Sequence, residues 1–326
     1  MNPEKNGRTP CVQTVTGPVS ALGHAQCHEH IYLRKGPSYA CNHALCMDDY
    51  DRSLQELQEY YAHGGRTIVD AQPGFFGRDA EILRRLSVQS GVQIVAVTGF
   101  HKLQFMEEGS PLPKLSREEL TALFVSEIRD GMLQPDGTRS AAKAGMVKLA
   151  YEKEGWRSEE YKTLFEAAAD AAAQTGAPVM VHTEKQNDLL GLLAFLAQHH
   201  VPAERVLICH LDRTNTDPEY HKTLLRTGCY FCYDSVHRYK YVSDEQELAL
   251  LKEVCEAGYA GQIVLSLDTT NQRLRAYNAP DMGLDYILTD FIPMLRAAGF
   301  TESQISAMCE SNAVEILQLQ DTEVTR

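Results

Sequence analysis

The chain has 326 residues, of which 44% are hydrophobic, 23% charged and 8% aromatic. These fractions are typical of a globular protein with a sizeable core and exclude an intrinsically disordered chain. The 31 basic and 44 acidic side chains give a net charge of −13, and no segment concentrates Lys and Arg, which argues against a nucleic-acid partner. The start MNPEKNGRTP is unlike a signal peptide and no apolar segment is long enough to cross a bilayer, so we expect a cytoplasmic protein without a membrane partner.

The nine cysteines are odd in number and follow no regular spacing, so we expect reduced thiols rather than a disulfide framework. Cys41, His43 and Cys46 lie close together in the chain and could form half of a structural zinc site. A tetrahedral site needs a second pair of ligands, and none is evident nearby. We therefore favour an ordinary loop for this cluster.

Short runs rich in β-branched residues alternate with helical patterns along the whole chain, and no Pro-, Gly- or Ser-rich linker interrupts them. We predict eight strands, near residues 25–31, 66–71, 93–98, 145–150, 178–182, 205–210, 228–233 and 262–268. This alternation predicts a parallel sheet in the form of a (β/α)8 TIM barrel, with residues 1–326 as a single domain. An open, doubly wound sheet is the main alternative.

The predicted helices between these strands have recognisable ends. Ser or Thr followed three residues later by Glu or Gln forms a capping box, and three pairs fit: Ser116 with Glu119, Ser243 with Gln246, and Thr301 with Gln304. Glycines follow the apolar periodic segments where a left-handed C-terminal cap is expected, at positions 64, 91, 176, 258 and 299. Pro218 opens another helix, and a last helix is predicted around residues 303–318.

Potential metal ligands stand at the carboxyl ends of the predicted strands, where a (β/α)8 barrel builds its active site. The first run ends in His28-Glu29-His30, and alternation along a strand places both imidazoles on one side while Glu29 faces away. Four later runs contribute Lys148, His182, His210 and Asp268. One histidine alone is more often structural than a ligand, but this conjunction predicts a site for zinc, manganese or cobalt.

Lys148 is the unusual member of this set, because an ammonium group has no lone pair for a metal and a buried unpaired charge is costly. One explanation is an ion pair with a carboxylate. The other is that the amine has added carbon dioxide to form a carbamate, whose two oxygens can bridge two cations as a carboxylate does. The sequence leaves both explanations open.

Several longer motifs surround these residues: VQTVTGPVS, HEHI, AGMVKLA, PVMVHTEKQ, ICHLDRTNTDP, LSLDTT and ILTDFIPML. In these motifs, which cover nearly the whole chain, the sequence resembles the phosphotriesterase family of the amidohydrolase superfamily, including phosphotriesterase-like lactonases and phosphotriesterase-related proteins. HEH alone is a weak signal, whereas HEH followed in order by Lys, His, His and Asp is highly specific. The chain departs from the usual pattern before HEH, where Ala25 and Gln26 replace the common Thr and Leu.

The resemblance implies a binuclear metal centre. His28, His30 and Asp268 would bind the more buried metal, His182 and His210 the more exposed one, and Lys148 would bridge them as a carbamate. It further implies that two cations activate a water for hydrolysis and that Asp268 transfers a proton to the leaving oxygen. Homodimers are common in the resembled family, which makes a dimer possible here.

The substrate must be decided by the loops after the seventh and eighth strands. Lys240, Arg273, Arg275 and Tyr277 lie there and could hold an anionic small molecule, unless they form only a solvated basic loop. The resemblance is closest to the branch that opens phosphorylated sugar lactones, which is our first hypothesis. The second is a hydrolase of carboxylic esters or N-acyl amino acids with incidental phosphotriesterase activity. A third, of another class, is a metal-bound binding module without turnover, although every ligand position is filled.

Overall fold

The computed structural model describes residues 11–278 and 281–320. Eight strands form one parallel sheet in which each strand pairs with its neighbours in chain order, and two further strands form an antiparallel hairpin before it. The hairpin strands are β1 (Val12–Thr14) and β2 (Gly17–Val19), and those of the sheet are β3 (His24–Glu29), β4 (Gly65–Asp70), β5 (Gln93–Gly99), β6 (Ala144–Ala150), β7 (Val179–His182), β8 (Val206–Cys209), β9 (Tyr230–Tyr233) and β10 (Ile263–Leu265).

Helices separate the strands of the sheet. Within the described residues the α-helices are α1 (Pro37–Cys41), α2 (Tyr50–Ala62), α3 (Ala80–Ser90), α4 (Arg117–Arg129), α5 (Lys162–Thr175), α6 (Leu189–Gln198), α7 (Leu211–Thr214), α8 (Pro218–Leu225), α9 (Asp244–Glu256), α10 (Arg275–Asn278), α11 (Ile292–Ala297), α12 (Glu302–Ser306) and α13 (Asn312–Leu317). Short 3-10 turns occur at Leu103–Phe105, Leu112–Lys114, Gly155–Arg157, Ala203–Arg205, Ala260–Gln262 and Asn271–Arg273. None of the described helices is both long enough and apolar enough to cross a membrane.

The sheet curves into a barrel whose first and last strands, β3 and β10, are joined mainly by a side chain. The buried carboxylate of Glu29 accepts hydrogen bonds from the backbone N–H groups of Leu267 at 2.6 Å and Thr269 at 3.1 Å. It also accepts from the hydroxyls of Ser266 at 2.6 Å and Thr269 at 2.7 Å. This seam nearly closes the sheet, which confirms the predicted barrel and excludes the open sheet.

Successive residues of each strand alternate between two apolar layers, as the pleat requires. Val69, Met146 and Leu207 point into the barrel, where they belong to one cluster of buried apolar side chains. Ile68 and Val147, one position away on the same strands, pack outward against the helices. The barrel interior is therefore filled, and the open space lies at its mouth.

The predicted helix ends are confirmed. All three capping boxes form, at the starts of α4, α9 and α12. Gly91 and Gly176 end α3 and α5 with φ values of 77° and 66°, in the left-handed region that glycine adopts without strain. The last predicted helix is observed with an unpredicted π-helical segment, Ala307–Ser311, between α12 and α13, and a second π segment, Ile287–Phe291, precedes α11.

The hairpin formed by β1 and β2 was not predicted as strands, because its two strands are only three residues each. It lies against the amino ends of the barrel strands, where Val15 N–H donates to Ile94 O at 2.8 Å. The hairpin covers the end of the barrel opposite to the predicted active site and leaves the carboxyl ends of the strands open.

Candidate metal centre

The predicted ligands lie at strand ends, and two of them have unusual backbones. His210 follows β8 with φ 68°, and Asp268 lies beyond β10 with φ 48°. Residues other than glycine rarely adopt a positive φ, and residues with such strained backbones are concentrated at functional sites. On β3, the register with β4 shifts between Gln26 and Glu29, so the simple alternation of the strand is broken just where His28 stands.

His28, His30 and Asp268 form the first ligand group. His30 Nε2 lies 3.5 Å from Asp268 Oδ1, and His28 Nε2 lies 3.9 Å from the same oxygen. One ligand atom from each of the three residues lies within 4.8 Å of the other two, a spacing that a single cation can bridge. All three residues are buried. The structure therefore brings together the three residues that were expected to share one metal.

His182 and His210 form the second group, with their rings turned face to edge. His182 Nδ1 lies 2.8 Å from His210 Nε2. The opposite ring nitrogens contact carboxylates, since His182 Nε2 lies 3.1 Å from Glu184 Oε1 and His210 Nδ1 lies 2.7 Å from Asp234 Oδ1. Burial lowers the pKa of His182 to about 4 and that of His210 well below its ordinary value, so each ring is neutral and carries one proton.

Each outer nitrogen faces a carboxyl group, so an imidazole that donates its single proton outward directs the lone pair of its other nitrogen towards the neighbouring ring. His182 Nδ1 and His210 Nε2 face each other at 2.8 Å, close enough for both lone pairs to reach one cation. A ligating histidine that donates its other N–H to a carboxylate is the arrangement that metal sites use, so these residues fit a divalent cation.

Lys148, on β6, is completely buried, and its charge acts on a histidine of each group, His28 and His182. Its Nζ donates to the backbone oxygen of Ala71 at 2.7 Å, and the structure shows no carboxylate paired with it at hydrogen-bond distance among the described residues. Burial lowers the pKa of the Lys148 amine to about 8. A neutral amine is the form that reacts with carbon dioxide, so burial increases the fraction of Lys148 that can undergo this reaction at neutral pH.

Asp268 is held by two arginines as well as by the histidines. Arg213 donates from Nη1 to Asp268 Oδ2 at 2.8 Å, and Arg238 donates to the same oxygen. Burial alone would raise the pKa of Asp268, but Arg238 and Arg213 outweigh it and hold this pKa well below the ordinary value. The carboxylate is ionised, with Oδ1 directed towards the histidines and Oδ2 towards the arginines.

Asp234 supports the histidines from the side away from the cavity. Besides its contact with His210 Nδ1, it accepts from the His210 backbone N–H at 3.2 Å, and its Oδ2 lies 3.5 Å from His28 Nδ1. Burial and the neighbouring Asp212 carboxylate raise the pKa of Asp234 well above its ordinary value. Asp234 therefore orients His210 by two hydrogen bonds and lies beside His28 without forming a hydrogen bond to it.

A cavity of about 590 Å³ opens above these residues at the carboxyl ends of the strands. The histidines and Asp268 form its floor, and Phe105, Tyr241 and Leu33 supply apolar surface. Four cationic side chains line it: Lys102, Lys185, Arg213 and Arg238. The cavity has the size and the mixed polar and apolar lining of a small-molecule site.

The structure does not bring the predicted substrate-binding residues Arg273, Arg275, Tyr277 and Lys240 to this cavity, and none of these four lines it. Arg273 donates to the backbone oxygens of Val236 and His237, so it links the loop after β10 to the loop after β9. Arg275 lies 3.3 Å from Asp285. Tyr277 bonds Ser53 Oγ at 2.7 Å. Lys240 is exposed, 5.3 Å from the ring of the cavity residue Tyr241.

Sequence reasoning missed several residues that contact the predicted ligands or line the cavity. Asp234 follows β9 directly, Glu184 stands two residues after His182, His101 stands two residues after β5 ends, and Arg213 stands three residues after His210. All of them follow a strand end, so the rule that located the histidines could also have found these residues. Arg238 lies further along its loop and carries no such signal.

The Cys41, His43 and Cys46 cluster is not a metal site among the described residues, because none of its members belongs to a group of converging ligands. Cys41 ends the short helix α1, and the ring of His43 stacks on Tyr39 with centroids 4.4 Å apart. All nine cysteines are free thiols, as expected.

The model of the phosphotriesterase family matches residues 10–317 of the chain. A phospho-furanose lactonase of Mycoplasmopsis synoviae is 30% identical over 323 residues, covering 94% of this chain and 91% of the relative. A phosphotriesterase homology protein of Escherichia coli is 29% identical over 296 residues, covering 91% and 98%.

Solved structures agree with these matches. An amidohydrolase from Mycoplasma synoviae superimposes with a TM-score of 0.90 at 28% identity, covering 97% of this chain and 94% of that one. A lactonase from Listeria monocytogenes gives a TM-score of 0.86 at 26% identity, covering 95% and 100%. With the family model spanning nearly the whole sequence and the fold shared with its members, this chain belongs to the phosphotriesterase family.

Proposed function

We propose that this chain is a binuclear metal-dependent hydrolase that opens a phosphorylated sugar lactone. The observation that carries the proposal is the pair of opposed imidazole nitrogens of His182 and His210, 2.8 Å apart, beside the group formed by His28, His30 and Asp268. Nitrogen and carboxylate ligands suit zinc, with manganese and cobalt as alternatives. Lys148, as a carbamate, would supply a ligand oxygen to each of the two metals.

When bound, two divalent cations supply a hydroxide at neutral pH and polarise the scissile carbonyl. The protein supplies the rest. Asp268 is ionised and lies at the cavity floor, so it can take the hydroxide proton and deliver it to the leaving oxygen of the opened ring. Asp234 and Glu184 fix the orientation of the histidines.

The choice of a phosphorylated lactone is supported by the relatives and by the charge of the cavity. The phospho-furanose lactonase of Mycoplasmopsis agalactiae is 31% identical over 335 residues, covering 96% of this chain and 93% of the relative. In a chain of net charge −13, four cations and only two carboxylates, Glu184 and Asp268, line the cavity, and this local excess of positive charge fits a phosphate or carboxylate group.

The proposed function predicts that activity depends on metal and that lactones are the preferred substrates. Protein stripped with a chelator should lose hydrolysis and recover it with two equivalents of zinc, manganese or cobalt, measured by elemental analysis beside rate. Substrates to compare are sugar lactones with and without phosphate, simple carboxylic esters and N-acyl amino acids. Preference for an ester or an amide would select the second hypothesis, and two bound metals with no hydrolysis of any substrate would select the binding module.

Arg238→Met should reduce the preference for a phosphorylated lactone over its unphosphorylated analogue by about tenfold or more, because a cavity-lining guanidinium would lose its contact with the phosphate. Arg275→Met is the matched comparison, since Arg275 pairs with Asp285 outside the cavity lining. The ratio of kcat/KM values for the two lactones is the measurement. A loss of preference in Arg275→Met alone would return phosphate binding to the loop residues predicted from the sequence.

A further inference from the structure

His101 is a fifth histidine beside the cavity, and none of the groups of converging metal ligands among the described residues includes it. It stands two residues beyond β5, and the backbone N–H of Lys102 donates to its Nδ1 at 2.8 Å. A ring nitrogen that accepts a hydrogen bond carries no proton, so the proton of this neutral imidazole resides on Nε2. The local backbone thereby sets the tautomer of His101.

The ring of His101 is also fixed in place. Its centroid lies 5.1 Å from that of Phe105, 6.3 Å from Phe76 and 5.4 Å from His182, so three rings enclose it. Among the described residues no side chain or backbone group pairs with Nε2, and this nitrogen is not sealed from solvent. Because the side chain lines the cavity, the Nε2–H donor opens into it, beside the second ligand group.

We propose that His101 is a substrate-contacting residue whose Nε2–H donates to the carbonyl oxygen of the substrate as negative charge develops there during hydrolysis. This inference rests on the proposed function. The hydrogen bond needs no net proton transfer from His101, and the ring remains neutral throughout. A donor held rigidly beside a developing oxyanion stabilises the transition state more than the ground state, so its effect falls mainly on kcat.

Other cavity donors are less suited to this role. Lys102 pairs with Glu184, and Arg213 and Arg238 both pair with Asp268. Lys185 is exposed and carries its ammonium on a flexible side chain, whereas the enclosed ring of His101 contacts His182 and directs an N–H without an acceptor among the described residues into the cavity. An unpaired, rigid donor next to a metal ligand is what oxyanion stabilisation requires.

The experiment compares His101→Phe, which keeps the ring packing but removes the donor, with His101→Gln, which retains an N–H donor at a similar reach. His43→Phe, at an exposed histidine outside the cavity lining, is the control. On the lactone that the wild type hydrolyses fastest, His101→Phe should lower kcat about 10²-fold with little change in KM. His101→Gln should recover much of the loss, and both variants should retain the metal content of the wild type.

Binding of inorganic phosphate, measured by calorimetry on the metal-loaded protein, provides a second readout that needs no turnover. Phosphate affinity should fall about tenfold in His101→Phe and recover in His101→Gln, because one hydrogen bond to an anion is removed and restored. An unchanged kcat and an unchanged phosphate affinity in His101→Phe would overturn the inference, as would loss of metal, which would make His101 a ligand. A wild type that binds phosphate but hydrolyses no lactone would overturn the proposed function alone.

Discussion

Lys148→Ala is expected to lower kcat/KM by about 10³-fold or more and to leave the protein with fewer than two metals per chain. The reason is that Lys148 is buried and its charge acts on histidines of both groups, so in the proposed site its loss would remove the ligand shared by the two cations. Metal ions supply several kcal/mol of transition-state stabilisation, and each 1.4 kcal/mol corresponds to about a tenfold change in rate.

The chemistry of Lys148 explains why this lysine can be modified. An ordinary lysine is almost wholly protonated at neutral pH, whereas burial lowers the pKa of this amine to about 8. The deprotonated fraction grows as pH rises towards 8, so about one amine in ten is neutral at pH 7. The neutral nitrogen forms a bond to the carbon of carbon dioxide and releases one proton, giving a carbamate with one negative charge. Loading of metal-free protein should therefore accelerate with added bicarbonate and with pH between 6 and about 8.

The measurements are intact mass under native conditions for the added carbon dioxide, and elemental analysis for the metals. Lys148→Glu should retain part of the activity, because a carboxylate offers two oxygens as the carbamate does. Lys143 lies by the hairpin at the opposite end of the barrel, so the control variant Lys143→Ala should behave as the wild type. Two tightly bound metals beside an unmodified Lys148 would contradict the carbamate.

The barrel and the convergence of the predicted ligands could be predicted from the sequence because both follow from local patterns. A His, Lys or Asp at the end of a predicted strand can be recognised in the sequence. Because the strands of the barrel are parallel, their carboxyl ends all lie at one mouth. His28, His182 and Asp268 were therefore found without any knowledge of side-chain contacts. The seam made by Glu29 could not be found in the same way, because its four donors come from residues 237 to 240 positions away.

The loops that shape the cavity were predicted less well, and the reason lies in long-range hydrogen bonds. Asp244 accepts from the His237 backbone N–H at 2.6 Å and from the Tyr286 hydroxyl at 2.8 Å, which fixes the loop after β9. In the loop held by Asp244, Arg238 lines the cavity and Lys240 remains exposed. The sequence analysis located cations on the loops after β9 and β10, but of the cations that line the cavity only Arg238 lies there, and Lys102, Lys185 and Arg213 follow other strands.

Asp268→Asn is expected to lower kcat/KM on a sugar lactone by about 10²- to 10⁴-fold, the range typical of general acid–base catalysis. Asparagine keeps an oxygen where Asp268 Oδ1 faces His30, so it can still serve as a weak ligand, but it cannot accept and return a proton. It also leaves Arg213 and Arg238 without their shared carboxylate, so a fall in stability should accompany the fall in activity.

The dependence on the leaving group separates these two effects. Opening a sugar lactone releases an alkoxide that needs a proton, whereas an aryl ester releases a phenolate that leaves without one. If Asp268 delivers that proton, the loss in Asp268→Asn should be at least about tenfold smaller on the aryl ester than on the lactone. Asp136→Asn, at an exposed carboxylate, controls for the substitution itself. Equal losses on both substrates, with both metals still bound, would show that Asp268 stabilises charge or positions the arginines rather than transferring a proton.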